Sequence, residues 1–257
     1  MNIKKHIPNA ITCGNLFCGC LAIVSAFNGN LIASAYLVGI AAVLDFFDGF
    51  AARILKVSGE LGKQLDSLAD MVTFGVVPGV VMFQLVGQAW WGMNINDSTF
   101  DPELNTHLAK YYPYIAFIPF LITIFSALRL AKFNIDTRQT TSFIGVPTPA
   151  NSILICSLPL IQAFQSTLFG FDFNTIITNV HFLLGLSILM SYLLVAELPL
   201  FALKFKNFSW ADNKLRFSFL IISVLLLALL QFIAIPFIIF LYIVLSVINN
   251  MYTKNKI

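Results

Sequence analysis

The sequence has few charged residues: Asp, Glu, Lys and Arg make up 11% of its 257 residues, whereas hydrophobic residues make up 58%. A soluble domain carries roughly 25% charged residues, so this chain lacks the polar groups needed to cover a globular surface in water. Its apolar runs are long and do not alternate, which favours helices over barrel strands, because backbone groups in hydrocarbon must be paired. The composition excludes a soluble domain and predicts an all-α, polytopic membrane helical bundle.

The cysteines offer no metal or disulfide framework. Cys13, Cys18, Cys20 and Cys156 lie inside apolar segments, without the paired spacing of a zinc site or of a disulfide-rich secreted domain. We interpret them as small packing residues within helices. The first apolar segment of the chain is too long for a signal peptide, so it is expected to be retained as the first span.

Windows of about 20 residues, the length of helix that crosses a bilayer core, identify eight candidate spans. They are residues 8–27, 32–53, 66–88, 112–133, 147–166, 177–203, 216–232 and 235–251. Pro236 separates the last two and would break one long helix, so we expect a hairpin of two short helices. The chain is expected to form one integral membrane domain over residues 1–257, with a core of about 1–205 and a C-terminal hairpin of about 206–257.

The positive charges support this count because nearly all of them fall on one side of the membrane. With the N-terminus inside, fourteen of the fifteen Lys and Arg residues fall in predicted cytoplasmic segments, and only Lys110 lies outside. By the positive-inside rule, both termini are expected in the cytoplasm, and the protein is expected in the cell membrane.

Four aspartates lie in predicted spans rather than in loops: Asp45 and Asp48 near the cytoplasmic end of the second span, and Asp66 and Asp70 at the start of the third. A carboxylate at membrane depth costs at least a few kcal/mol, so it usually faces a partner, a metal or water. At about 100° per residue, each pair shares one helix face. The short connection makes the two helices antiparallel neighbours, so two acidic faces are expected to oppose each other near the cytoplasmic surface.

Four carboxylates brought together would repel one another, and several would have to bind protons. Arg53 and Lys63 could offset part of the charge, but a pair of divalent cations would offset it better. All-oxygen ligation suits Mg²⁺, Mn²⁺ or Ca²⁺ rather than Zn²⁺, and paired metal ions about 3.5–4 Å apart assist substitution at phosphorus. The small residues Gly49, Ala52 and Gly62 fit close helix packing, but beside four carboxylates we favour space for a ligand.

The spacing of these residues reads Asp45-x2-Asp48-Gly49-x2-Ala52-Arg53-x8-Gly62-x3-Asp66-x3-Asp70. At every position it resembles the signature of the CDP-alcohol phosphotransferase family. The resemblance implies a six-helix catalytic core, a homodimer and a site open to the cytoplasm. It also implies that the four aspartates hold two Mg²⁺ or Mn²⁺ ions that engage the diphosphate of a CDP-lipid, and that Asp70 is the base for the acceptor hydroxyl.

The expected CDP-lipid site combines the aspartates with small and polar neighbours. Its predicted members are Asp45, Asp48, Gly49, Ala52, Arg53, Gly62, Asp66, Pro8, Asn9 and Thr12.

Three further segments resemble the bacterial and archaeal phosphatidylserine synthases of this family. They are residues 7–19, 127–134 and 143–150, the last with Val146 where that subfamily has leucine. The resemblance implies that CDP-diacylglycerol and L-serine are the substrates. Membrane lipids are the other expected partners, and no nucleic acid is expected.

An amino-acid acceptor brings a carboxylate and an ammonium group in addition to its hydroxyl. Arg129 and Lys132 could bind the carboxylate, although anchoring to lipid phosphates explains these charges equally well. Neutral hydrogen bonds could come from Asn134, Asn15 and Thr148.

Several alternatives stay open. Glu197, within the predicted sixth span and followed by Pro199, fits either pairing with an arginine or a place in the acceptor pocket. The acceptor could instead be glycerol 3-phosphate, inositol phosphate or choline, with Arg138 helping to bind a phosphate. A cation-coupled transporter is disfavoured because the acidic cluster lies near one membrane face and no inverted repeat of broken helices is visible.

Overall fold

The computed structural model describes residues 6–57, 59–91, 112–136, 142–201 and 209–254, which are almost entirely helical. The helices are α1 (His6–Phe27), α2 (Leu31–Ile54), α3 (Glu60–Asp70), α4 (Val77–Trp91), α5 (Tyr112–Ile115), α6 (Phe120–Ile135), α7 (Thr148–Phe164), α8 (Phe173–Ile177), α9 (Val180–Val195), α10 (Trp210–Leu230) and α11 (Ala234–Lys254). A π-helical segment, Met71–Val76, joins α3 to α4, and a 3₁₀ turn, Gln231–Ile233, joins α10 to α11. The prediction of an all-α bundle is confirmed.

Two small antiparallel ribbons complete the fold. Strand β1 (Ser142–Ile144) pairs with β4 (Pro199–Phe201), and β2 (Thr167–Leu168) pairs with β3 (Phe171–Asp172). The first ribbon was not predicted, and it matters for the site because it connects the start of α7 to the end of α9.

Helix length and hydropathy identify the chain as a membrane protein. Among the described residues, four segments are long and apolar enough to cross a bilayer, and two shorter helices are also apolar. The four are His6–Phe27, Leu31–Ile54, Glu60–Trp90 and Asn213–Met251, and the two are Thr148–Phe164 and Val180–Val195. Large apolar side chains cover the outside of the bundle, for example Phe17 and Leu229, which are 63% and 74% exposed. Such an apolar surface is unsuited to water and suits lipid.

The protein core lies where α1, α2, α4, α7 and α9 meet. It contains fully buried large side chains, among them Phe74, Met82, Ile155 and Leu194. Gly19 of α1 faces Thr73 of the π-helical segment so closely that a Cβ atom there would overlap the threonine side chain. This close approach brings α1 against the start of the third span, where two of the four aspartates lie.

The predicted fourth and sixth spans have the wrong bounds. The fourth, predicted as 112–133, is interrupted after Ile115 by hydrogen bonds of the i to i+3 type that lead to Pro119. The sixth, predicted as 177–203, is α9, which ends at Val195. The chain leaves the helix at Ala196, which has extended backbone with ψ 138°, and residues 199–201 then pair with β1; Pro199 could not have continued the helix. Glu197 therefore lies outside the helix, in the turn between α9 and β4.

The last two helices fold back on each other. Gln231 has φ 46° and ψ −118°, which breaks the helical path, and the rings of Phe219 and Tyr242 lie 5.6 Å apart across the two arms. The hairpin also contacts β4, since the Tyr242 hydroxyl donates to the carbonyl oxygen of Phe201 at 2.8 Å. The predicted external loop, with Lys110, and the alternative phosphate ligand Arg138 lie outside the described residues.

Candidate active site

The four predicted aspartates meet between α2 and α3. One carboxylate oxygen each from Asp45, Asp48 and Asp66 lies within 4.8 Å of the other two. The carboxyl group of Asp70 lies within hydrogen-bonding reach of that of Asp45. The arrangement follows from helix geometry, because residues three or four apart on a helix share a face. We call these four residues the aspartate cluster.

Helix α1 supports this cluster from a third side. The Thr12 hydroxyl donates to Asp48 Oδ2 at 2.6 Å, and Asp48 is only 5% exposed. The Asn15 side chain donates from Nδ2 to Asp70 Oδ1 at 3.4 Å. These bonds orient one carboxylate on each of the two acidic helices.

Within the described part of the chain, none of the four carboxylates of the aspartate cluster forms an ion pair with a basic side chain. Lys63 instead donates to the carbonyl oxygen of Asn134 at 3.3 Å, and Arg53 is exposed. A compact group of carboxylate oxygens without a basic partner is the donor set that hard divalent cations prefer. The residues present therefore fit a metal ion, which Asp45, Asp48 and Asp66 could hold.

A cavity of about 480 Å³ opens beside the aspartate cluster, and we call it the aspartate cavity. Its described lining includes most of the predicted CDP-lipid site, namely Pro8, Asn9, Thr12, Asp48, Gly49, Ala52, Gly62 and Asp66, together with His6, Val57, Gly59, Leu61 and Lys63. At Gly49, no described atom lies within 4 Å of the place a Cβ would take. Gly49 therefore faces open space rather than a closely packed helix.

Two of the ten predicted members of this site do not line the aspartate cavity in the described part of the chain, and five of the described lining residues were not predicted. Arg53 and Asp45 are not among the described lining residues. Arg53 lies four residues after Gly49 on α2, but its side chain is exposed. Lys63 lines the cavity instead, and its place directly after Gly62 was the signal that could have identified it.

A second cavity, of about 320 Å³, lies at the ends of α6 and α9, and we call it the mixed-charge cavity. Its described lining is Arg129, Lys132, Ile135, Asp136, Ile144, Leu194, Val195 and Glu197. Arg129 is only 7% exposed, donates from Nη1 to the Thr148 hydroxyl at 3.3 Å, and has no hydrogen-bond partner for Nε among the described residues. Its charge is close enough to that of Asp70 for the two to interact, so Arg129 links this cavity to the aspartate cluster.

The predicted acceptor residues divide between the two regions. Arg129 and Lys132 line the mixed-charge cavity, and Thr148 binds Arg129. Asn15 bonds to Asp70, and Asn134 donates from Nδ2 to the Ser67 hydroxyl at 2.9 Å. These two asparagines therefore lie on the side of the aspartate cluster and do not line the mixed-charge cavity in the described part of the chain.

The wide helical turn directly after Asp70 was not predicted. The hydroxyl of Thr73 donates to the carbonyl oxygen of Asn15 at 3.2 Å, and the hydroxyl of Thr123 donates to that of Gly75 at 3.0 Å. Side chains thus bond the π-helical segment to α1 and α6. Such segments are rare and occur frequently at functional sites.

Comparison with known proteins gives a consistent result. Residues 5–195 match the family described as CDP-alcohol phosphatidyltransferase. A protein of Bacillus subtilis named CDP-diacylglycerol–serine O-phosphatidyltransferase is 36% identical over 147 residues, which are 56% of this chain and 70% of that protein. A protein of the same name from Helicobacter pylori J99 is 28% identical over 226 residues, 87% of this chain and 81% of its own. An archaetidylserine synthase of Methanothermobacter thermautotrophicus is 28% identical over 169 residues, 62% of each chain.

Proposed function

Because the chain belongs to the CDP-alcohol phosphatidyltransferase family, we propose that it transfers the phosphatidyl group of CDP-diacylglycerol to the hydroxyl of L-serine. The products are phosphatidylserine and CMP. The observation that carries the proposal is the convergence of the aspartate cluster beside a cavity open enough for a ligand. The names of the relatives support serine as the acceptor.

The donor fits the aspartate cavity. A nucleotide needs a cleft without bulky side chains. The small residues Gly49, Ala52 and Gly62 line this cavity, with open space at the Cβ position of Gly49. A diphosphate brings negative charge toward carboxylates, which would repel it. A divalent cation such as Mg²⁺ or Mn²⁺, when bound, would supply the positive charge that the diphosphate requires. Asp45, Asp48 and Asp66 would hold this cation, and the family resemblance implies a second one with Asp70 among its ligands.

The reaction forms one bond to phosphorus and breaks another. The serine hydroxyl oxygen attacks the phosphorus that carries the diacylglycerol, the bond from this phosphorus to the bridging oxygen breaks, and CMP leaves with that electron pair. The hydroxyl proton passes to the carboxylate of Asp70. A carboxylate within hydrogen-bonding reach of the hydroxyl makes a poor nucleophile effective, and Asn15 holds Asp70 in position.

The acceptor fits the mixed-charge cavity, which adjoins the aspartate cluster at Arg129. A guanidinium group binds a carboxylate with two parallel hydrogen bonds, and the Nε atom of Arg129 has no partner among the described residues. An amino acid bound there by its carboxylate would lie near Asp70, whose charge interacts with that of Arg129.

The same proposal gives the orientation in the membrane. The end of the bundle that carries the aspartate cluster also carries Arg53, Lys63, Arg129 and Lys132, and positive charges concentrate on the cytoplasmic side. We therefore place the site at the cytoplasmic face of the cell membrane, where serine could enter from the cytoplasm and CMP could leave into it. A homodimer is implied by the family resemblance and stays a prediction.

The test is an acceptor panel with purified protein in detergent. CDP-diacylglycerol and Mg²⁺ or Mn²⁺ are supplied with isotope-labelled L-serine, glycerol 3-phosphate, inositol phosphate or choline, and labelled lipid is measured with and without a chelator. Labelled phosphatidylserine that depends on the metal ion is the expected result. Product with another acceptor alone would overturn the choice of serine, and no CMP release with any alcohol would overturn the enzyme assignment.

A further inference from the structure

We propose that Glu197 binds the ammonium group of the acceptor and so makes the enzyme specific for a zwitterionic amino acid. The inference rests on the proposed function and goes beyond it, because it assigns a selective role to a residue that neither the signature nor the family resemblance includes. It starts from the charges of the mixed-charge cavity.

The charged side chains that line this cavity balance. Arg129 and Lys132 are cationic, and Asp136 and Glu197 are anionic. A phosphate-bearing acceptor would gain from the two cations but would be repelled by the two carboxylates. A simple cationic alcohol would make no use of Arg129 and Lys132. A molecule that carries both a carboxylate and an ammonium group pairs with both halves of the lining, so the cavity favours an amino acid.

Of the two carboxylates, Glu197 is the one available to a ligand. Asp136 has interactions with other groups of the chain. Glu197 is exposed, and it has no hydrogen-bond or ion-pair partner in the part of the chain that the structure describes. Its carboxylate thus reaches the cavity without first having to break an internal contact.

The backbone holds Glu197 in a defined place. The turn that carries it begins at Ala196, whose N–H donates to the Tyr192 carbonyl at 2.9 Å and ends α9. On the other side, the N–H of Gly145 donates to the Leu198 carbonyl at 3.0 Å. Glu197 therefore projects from a turn fixed by both α9 and the β1–β4 ribbon, and it lines the same cavity as Arg129 and Lys132 of α6.

The two charged groups of serine would then bind at opposite walls. The carboxylate faces α6 and the ammonium faces Glu197, which leaves the hydroxyl as the group directed toward Asp70. An acceptor that lacks the ammonium leaves Glu197 unpaired, and a site built for a polar group rejects an analogue without it.

The experiment compares Glu197→Gln with the wild type on three acceptors that each carry a primary hydroxyl: L-serine, 3-hydroxypropanoate, which lacks the ammonium, and ethanolamine, which lacks the carboxylate. The loss of a charged hydrogen bond raises the KM for L-serine by about 10- to 100-fold. The KM for ethanolamine, which keeps the ammonium, rises with that for L-serine. The KM for 3-hydroxypropanoate falls or stays the same, because the variant removes the unpaired carboxylate that rejects it, and the KM for CDP-diacylglycerol stays the same. The preference for serine over 3-hydroxypropanoate therefore collapses. Glu197→Asp, which keeps the charge, recovers part of that preference.

The matched control is Asp172→Asn, which also exchanges an exposed carboxylate for a carboxamide. Asp172 accepts the N–H of Asn174 at the start of α8, and asparagine caps a helix equally well, so this variant retains wild-type constants. An unchanged KM for L-serine in Glu197→Gln would overturn the inference, and so would a parallel rise in all KM values. Absence of phosphatidylserine with the wild type would instead overturn the proposed function.

Discussion

The two cavities are linked by the interacting charges of Arg129 and Asp70, yet they are built in different ways. The described lining of the aspartate cavity comes from residues 6–66, on three consecutive helices and one short connection. The lining of the mixed-charge cavity comes from residues 129–197, on the ends of two helices and a strand that pairs across 55 or more residues of sequence. One region is local and repetitive in its spacing, and the other depends on long-range pairing. We expect the donor and acceptor sites to respond separately to substitutions.

The largest expected effect comes from Asp70, which we propose as the base for the acceptor hydroxyl. Asp70→Asn removes the base without changing the shape of the side chain, and we expect kcat to fall by about 10²- to 10⁴-fold with small changes in either KM. Steady-state rates of CMP release measure this effect. A rate within tenfold of the wild type would assign the proton transfer to another group.

Thr12→Val tests the support that α1 gives to the aspartate cluster. It removes the 2.6 Å hydrogen bond to Asp48 and leaves a side chain of the same shape. Residues that orient metal ligands typically contribute about 10- to 100-fold to metal affinity, so the Mg²⁺ concentration for half-maximal activity should rise by that factor.

The control for this prediction is Thr178→Val, which removes a hydroxyl bonded to the Asn174 carbonyl at 2.8 Å near α8. An unchanged Mg²⁺ requirement in Thr12→Val would show that Asp48 needs no support from α1 in order to bind the ion.

Much of the donor side could be predicted from the sequence, because helical spacing of 3 or 4 residues decides which side chains share a face. Asp45, Asp48, Asp66 and Asp70 meet as expected, and Gly49 and Gly62 line the aspartate cavity.

The mixed-charge cavity could be predicted only in part. Glu197 was assigned to a helix, since nothing local indicates that residues 199–201 pair with residues 142–144.

The donor side also contained a feature that periodicity cannot predict. The π-helical segment after Asp70 has no sequence signal of its own in this chain, because Met71–Val76 continues an apolar helical pattern. It depends on tertiary hydrogen bonds, such as the one from Thr123 to the carbonyl oxygen of Gly75. Tertiary contacts therefore determine the π-helical segment beside the aspartate cluster and the β1–β4 ribbon beside the mixed-charge cavity. Local helical spacing determines only which side chains form the aspartate cluster.

Gly49→Leu tests the aspartate cavity, the proposed donor site, without changing the mixed-charge cavity. The leucine side chain would extend into the open space of the aspartate cavity, and we expect the KM for CDP-diacylglycerol to rise by about tenfold or more while that for L-serine stays the same. Gly39→Leu is the matched control, because Gly39 lies on the same helix, also has open space around it and does not line the cavity. Equal kinetics for the two variants would contradict the donor assignment.

Gly145→Ala tests whether the backbone beside the mixed-charge cavity affects acceptor binding. Gly145 has φ +75°, and a Cβ atom there would overlap the carbonyl oxygen of Leu194, a residue of the mixed-charge cavity. We expect a several-fold rise in the KM for L-serine and a lower thermal unfolding temperature in detergent.

The control for the Gly145 variant is Gly170→Ala. Gly170 also has positive φ, +80°, but no described atom lies within 4 Å of its Cβ position. It should lose only the backbone term of about 1–2 kcal/mol and keep the wild-type KM. If both variants behave alike, the effect is general strain and the acceptor cavity is not coupled to the ribbon.

The smallest expected effect tests whether the C-terminal hairpin helps to position the acceptor cavity. The hydroxyl of Tyr242 donates to Phe201 on β4 at 2.8 Å, while its ring packs 4.9 Å from that of Phe201. Tyr242→Phe keeps the ring contact and removes only the hydrogen bond, which contributes about 1 kcal/mol. Because β4 follows the turn that carries Glu197, the KM for L-serine should rise by about fivefold at most, with no change in the KM for CDP-diacylglycerol.

The control is Tyr36→Phe, at an exposed position on α2, which should change neither constant. A rise in the KM for CDP-diacylglycerol would mean that the hairpin acts on the bundle as a whole, and the separation of the two cavities would then fail.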